Sequence, residues 1–133
     1  MQAVTPGDHA TFRRFHEAVK AGDLDTVLDC VEPDVVVRPL HGLLFTRMEF
    51  RGHNGIRDWY HEMTDPYDRY EPLVEEVHDH PDGVAGLVTL IGYRGDEGLH
   101  ARVGVVCEMR EGRIASLTAR NASDVEDEIR AQA

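Results

Sequence analysis

Arg38, His41, Trp59, Tyr60, His78, Arg102, Glu108 and Asn121 are the residues whose types and positions suit chemistry on a small molecule. Arg38 closes a Val35-Val36-Val37 run just before Pro39. At a cavity mouth its planar fork can hold a carboxylate or an enolate. The plain alternative is a surface arginine paired with one of 25 acidic residues. His41 follows in the next loop, and an imidazole titrating near neutrality can give or take a proton with little tuning. Otherwise it is an exposed loop histidine. His78-Asp79-His80 sets two imidazoles on one strand face, a spacing that can bind a metal. No third ligand is evident, and His53 and His61, eight residues apart, do not complete a set. We expect no metal and no cofactor.

Trp59 and Tyr60 belong to an apolar helical stripe, Ile56-Trp59-Tyr60-Met63, at i, i+3, i+4 and i+7. Such rings are ordinary core. They also suit the wall of a cavity for a flat ligand with few polar groups. Cys30 and Cys107 stand in apolar surroundings, so free buried thiols in a reducing compartment are expected, and the cytoplasm with them. No phosphate loop, dinucleotide fingerprint or nucleophile elbow is present.

These residues need elements to hold them. A length of 133 residues and a hydrophobic share of 41% fit one globular domain, 1–133. No apolar run approaches the roughly 20 residues needed to cross a bilayer, and no signal peptide is visible. A net charge of −11 disfavours nucleic acid and acidic membranes as partners. Thr5-Pro6-Gly7-Asp8 reads as a helix start, and Phe12, Phe15 and Val19 recur at helical spacing with Ala18 beside them. Gly22 stops this helix and Asp23 caps the next, whose stripe is Leu24, Val27, Leu28 and Val31; Pro33 is expected to end it. Val35–Val37 predicts a short strand. Residues 39–52 are hard to assign, with Leu43, Leu44 and Phe45 either a strand or a pocket-lining loop. Asn54-Gly55 opens a third helix that Asp65-Pro66 ends.

The second half reads as sheet: strands over 73–80, 84–93, 99–110 and 113–120, joined by tight turns into an antiparallel meander. Ser123-Asp-Val-Glu126 resembles a capping box for a short final helix. Helices first and antiparallel strands afterwards make an α+β domain. Gly86, Gly92 and Gly104 inside the strands allow the sheet to bend around the first helix and leave a cavity at its open end. On the long strand Leu99, Ala101, Val103, Val105, Cys107 and Met109 share one face, and His100, Arg102, Gly104, Val106 and Glu108 the other. Two assignments fit. The polar set faces a cavity while the apolar set packs on a second subunit, or the apolar set faces the core and the polar set faces solvent.

Ala18-Val-Lys-Ala-Gly-Asp-Leu-Asp25, Pro33-Asp-Val-Val-Val-Arg-Pro39 and Phe50-Arg-Gly-His-Asn-Gly-Ile-Arg-Asp-Trp-Tyr60 together resemble the front half of SnoaL-like proteins of the NTF2-like superfamily. The resemblance implies a strongly curved antiparallel sheet wrapped around N-terminal helices and enclosing a pocket. It also implies a homodimer paired through the sheet, and it favours the polar set as cavity lining. Three branches can be checked by residue. Where ketosteroid isomerase has its oxyanion-hole tyrosine, its base and its second oxyanion acid, this chain has Phe15, Arg38 and Val106. A guanidinium cannot abstract a proton at neutral pH, so that mechanism is excluded. Arg102 resembles the arginine of limonene epoxide hydrolase, but Gly104 stands where a carboxylate is needed. The acid–base aspartate of the polyketide cyclases falls at Asn121, with Asp124 behind it.

Two functions are expected from this. The first is a cofactor-independent acid–base enzyme acting on a cyclic or carbonyl-bearing substrate. In it His41, Arg38 and Arg102 are catalytic, and Phe15, Trp59, Tyr60, His78, Val106, Glu108 and Asn121 contact the substrate. The second is a non-catalytic ligand-binding or dimerisation module.

Overall fold

The computed structural model describes residues 6–40 and 45–132. Thr5, Leu43 and Leu44, named above, lie outside the described residues, as does His41. The chain runs α1 (Pro6–Ala21), α2 (Leu24–Asp29), β1 (Val31–Arg38), β2 (Phe50–Arg51) and α3 (Gly52–Thr64). It continues through β3 (Arg69–His80), β4 (Gly83–Arg94), β5 (Glu97–Arg110), β6 (Arg113–Asn121) and α4 (Ala122–Ala131). Helices and a mixed sheet make the α+β class expected from the sequence.

The strands form one curved sheet in the order β2-β1-β6-β5-β4-β3. β3 to β6 are the antiparallel meander, whereas β1 joins β6 in parallel. Irregular register in β3/β4, β5/β6 and β1/β6 bends the ladder. Pro33 does not end α2. That helix stops at Asp29, and Pro33 lies inside β1, where the register with β6 is interrupted between Val31 and Val36. A proline lacks the N–H a regular ladder needs, so the irregular stretch is where it fits. Asp23 caps α2 as expected, its carboxylate accepting from the Thr26 N–H at 3.1 Å.

α1 crosses the concave face, burying Phe12, Phe15 and Val19 against the strands. A side chain on Gly86 of β4 would overlap the Phe12 ring, so the glycine lets the helix approach the sheet. The convex face carries α4. Val125 and Ile129 pack there on Ala85, Leu87 and Val106 as a second, smaller core. Gly104 does for this helix what Gly86 does for α1, since a side chain on it would overlap Val125. Asn121, not Ser123, caps α4, accepting from the Ser123 N–H at 3.0 Å. Both cysteines are free and buried, and burial pushes the Cys107 thiol pKa up.

Candidate functional site

The concave face holds an apolar pocket of about 60 Å³ between α1, α3 and the sheet. Period two decides its chemistry. Val103 and Val105 on β5, Val88 and Leu90 on β4, and Leu117 and Ala119 on β6 all point inward. The apolar set of β5 thus faces the interior, and the polar set does not line the pocket. This overturns the arrangement favoured by the resemblance, in which the apolar set packs on a second subunit; that face is covered by the chain's own core. Trp59 of α3 closes one side, with Phe15 stacked behind it at a ring separation of 5.7 Å. Phe15 is fully buried and supports the wall rather than forming it.

Among the described lining residues, His16 and Tyr70 bring the polar groups, apart from the Trp59 indole. His16 follows Phe15 on α1 and is 6% exposed. Its Nδ1 lies 2.8 Å from the Phe12 carbonyl. A carbonyl only accepts, so Nδ1 carries the proton and Nε2 of the neutral ring holds the lone pair. Desolvation lowers the His16 pKa to about 4, against a smaller opposing effect of that hydrogen bond. The imidazole is therefore uncharged at neutral pH. Tyr70 of β3 is 8% exposed, and its hydroxyl is buried with no hydrogen-bond partner among the described residues. Burial raises its pKa, so it is a phenol and a donor. An unpaired buried hydroxyl costs about 1–3 kcal/mol, which an acceptor brought beside it would offset.

The described residues singled out from sequence fall elsewhere, Trp59 apart. Arg38 alternates with the pocket-lining Val37, and its Nε donates to Glu49 at 3.2 Å. Arg51 and Arg38 together hold the Glu49 pKa low. Arg102 lies on the convex face, where its Nε donates to Glu75 at 2.9 Å and its other end to Glu126 at 3.3 Å. His78 meets Glu76 at 2.8 Å. His80 meets Glu128 at 2.8 Å, and Arg120 clamps the same carboxylate. These bonds, that of Arg120 foremost, lower the Glu128 pKa to about 2. Glu108 accepts from the Ser116 hydroxyl at 2.7 Å. Val106 lies under α4 and Asn121 caps it. Tyr60 is half-buried and faces a neighbouring groove. His41 lies outside the described residues. No group of three or more metal-ligating side chains occurs among the described residues.

Sequence reasoning passed over His16 and Tyr70. A signal existed for the first: His16 completes the Phe12, Phe15, Val19 stripe at i, i+4, so a polar ring was due to be buried. Tyr70 was outside the expected strand, which begins at Arg69 rather than Leu73.

Several solved structures share this fold. Bal32a, from a soil-derived mobile gene cassette, superposes with a TM-score of 0.77 at 19% identity, covering 86% of this chain and 88% of its own. TerC, co-crystallised with polyporic acid, gives 0.77 at 14% identity over 92% and 97%. An epoxide hydrolase of M. tuberculosis, of the LEH-like type, gives 0.72 at 19% identity over 96% and 92%. At these identities the likeness establishes the NTF2-like fold and leaves activity open. No curated protein matches the chain. The SnoaL-like domain model matches residues 12–117, most of the helices and nearly the whole sheet, and the chain belongs to that family.

Proposed function

We propose that the concave pocket binds a small, flat, uncharged ring system bearing a carbonyl or hydroxyl group. One observation carries this reading. The described lining has no charged side chain, yet it contains a neutral acceptor, His16, and a phenol, Tyr70, without a hydrogen-bond partner among the described residues. An ion entering would lose its hydration with no countercharge to replace it, whereas a carbonyl or hydroxyl finds a donor and an acceptor. The polyporic acid in TerC supports a small-molecule role for this fold. The direct test is calorimetry with 2-naphthol and 2-tetralone. Binding to the wild type and about tenfold weaker binding to Tyr70→Phe are expected. Equal affinities for both proteins would remove Tyr70 from the site.

A second reading, a cofactor-independent acid–base enzyme of isomerase, cyclase or hydrolase type, is favoured by the free lone pair of His16. In it Nε2 takes a proton beside a ligand carbonyl while the Tyr70 hydroxyl hydrogen-bonds the developing oxyanion. His41, a histidine in the loop after Arg38, is the other proton carrier to test. Hydrogen–deuterium exchange at the carbon beside the 2-tetralone carbonyl, followed by NMR, separates the two readings. Exchange that His16→Leu or His41→Ala removes identifies the proton carrier. Binding without exchange leaves the module reading.

A further inference from the structure

The concave pocket, at about 60 Å³, is small for a ring, since a dry cavity that takes benzene measures about 150 Å³. A wall must give way before a ring enters. Among the described lining residues, Pro39, Leu40 and Phe45 alone belong to no helix or strand. Pro39 and Leu40 continue directly from β1, whereas Phe45 opens a separate run, 45–48. Among the described residues, no backbone hydrogen bond outside the helices and strands involves this run. Side chains of α3 hold it instead. The Glu62 carboxylate accepts from the Thr46 N–H at 2.9 Å and from the Thr46 hydroxyl at 2.7 Å. Arg47 donates to Asp58 at 2.6 Å and lies over the Phe50 ring at 4.5 Å. Trp59 and Met63, each one residue after these acids, line the pocket. One side of α3 is thus pocket wall, and the adjoining side grips the run that carries Phe45. Thr46, Arg47 and Asp58 are exposed and Glu62 is half-buried, so these contacts are each worth little. Moving a strand or a helix would break a ladder of backbone bonds, and moving this run breaks only the contacts to α3.

We propose that residues 45–48 are a strap latched to α3 when the pocket is closed, and that a ring enters when the latch opens and Phe45 swings out. This rests on the ring-binding reading above. The latch weakens binding, because apparent affinity falls with the fraction of molecules whose strap is open. Glu62 and Thr46 are then positioning residues: they touch no ligand and set how much of the protein is competent to bind.

Calorimetry with 2-naphthol on wild type, Glu62→Ala, Thr46→Val and Thr46→Ser tests this. Losing the latch should strengthen binding, about fivefold for Glu62→Ala and about twofold for Thr46→Val, which keeps the N–H bond. Thr46→Ser, which keeps the hydroxyl, should match wild type. A fixed wall damaged by the same changes would bind more weakly, so the sign separates a latch from plain support. Stopped-flow quenching of Trp59, the single tryptophan, by 2-tetralone should place the gain in the association rate. Equal or weaker binding by Glu62→Ala overturns the strap while ring binding stands. Should that variant not fold, Thr46→Val decides by the same sign. If neither wild type nor the latch variants bind 2-naphthol, the ring-binding reading fails and the strap falls with it.

Discussion

The two faces of the sheet spend their polar residues in opposite ways. The convex face under α4 is crowded with Arg102, Arg120, Arg130, Glu75, Glu76, Glu126, Glu128, His78 and His80, and they are bonded to one another. The concave face has two polar side chains of note, His16 and Tyr70, and each keeps bonding capacity in reserve. A charge next to its countercharge fixes a helix to a sheet. A neutral donor or acceptor left incomplete in an apolar pocket is able to receive a ligand. The described residues that look catalytic in sequence, Arg38, Arg102, His78 and Glu108, are thus bonded to neighbouring side chains, and the proposed binding chemistry rests on an imidazole on α1 and a phenol on β3.

The difference can be broken first from the inside. Phe15→Ala removes a fully buried ring stacked on Trp59 and is expected to cost about 4 kcal/mol of stability, read from urea unfolding. Acid comes next, and it separates the faces. The His16 pKa near 4 in the folded state lies below its ordinary value of 6.5. The unfolded chain therefore binds the extra proton in that interval. Stability from this group is complete above pH 6.5 and is lost as pH falls toward 4, by at most about 3 kcal/mol. His16→Leu should flatten that limb of the stability curve. The Glu128 carboxyl, held low at about 2 from 4.5, gives a separate limb, present above 4.5 and lost below it. Glu128→Gln should shrink the lower limb, to which the lowered carboxyls of Asp23, Glu49 and Glu76 also contribute, and spare the upper one.

Smaller effects belong to the convex side. Ile129→Ala, which opens the second core under α4, should cost about 2 kcal/mol and leave ligand affinity unchanged. Arg102→Ala should cost less than about 1 kcal/mol, because its ion pairs are part-exposed. It should also leave 2-naphthol affinity where it was. A large affinity loss in Arg102→Ala would restore the polar face of β5 as a ligand wall.

Much of the fold was legible because periodicity reports it directly. The α1 stripe, the Asp23 cap and the alternation along β5 each follow from local geometry and appear where expected. What alternation cannot say is which side of a strand is inside. Arg102 and Glu108 share a face with Val106, and that face is covered only because α4 folds back over Val106. Nothing within β5 encodes this; Val125 and Ile129, some twenty residues later, do. The site was less legible for a related reason. A histidine inside an apolar stripe reads as an interruption, yet the Phe12 carbonyl at i−4 satisfies its Nδ1 and makes burial tolerable. Arg38 read as a pocket residue because it follows three valines, but period two turns it away from the pocket that Val37 lines.

In the proposed function, ligands enter the concave pocket, whose described lining carries no charged side chain. Methyl-labelled NMR during a 2-naphthol titration reads out which face the ligand meets. Shifts at Val37, Val103, Val105 and Leu117, with Val106, Val125 and Ile129 still, are the result expected. Shifts concentrated at Val106, Val125 and Ile129, or none at saturating probe, would contradict the account.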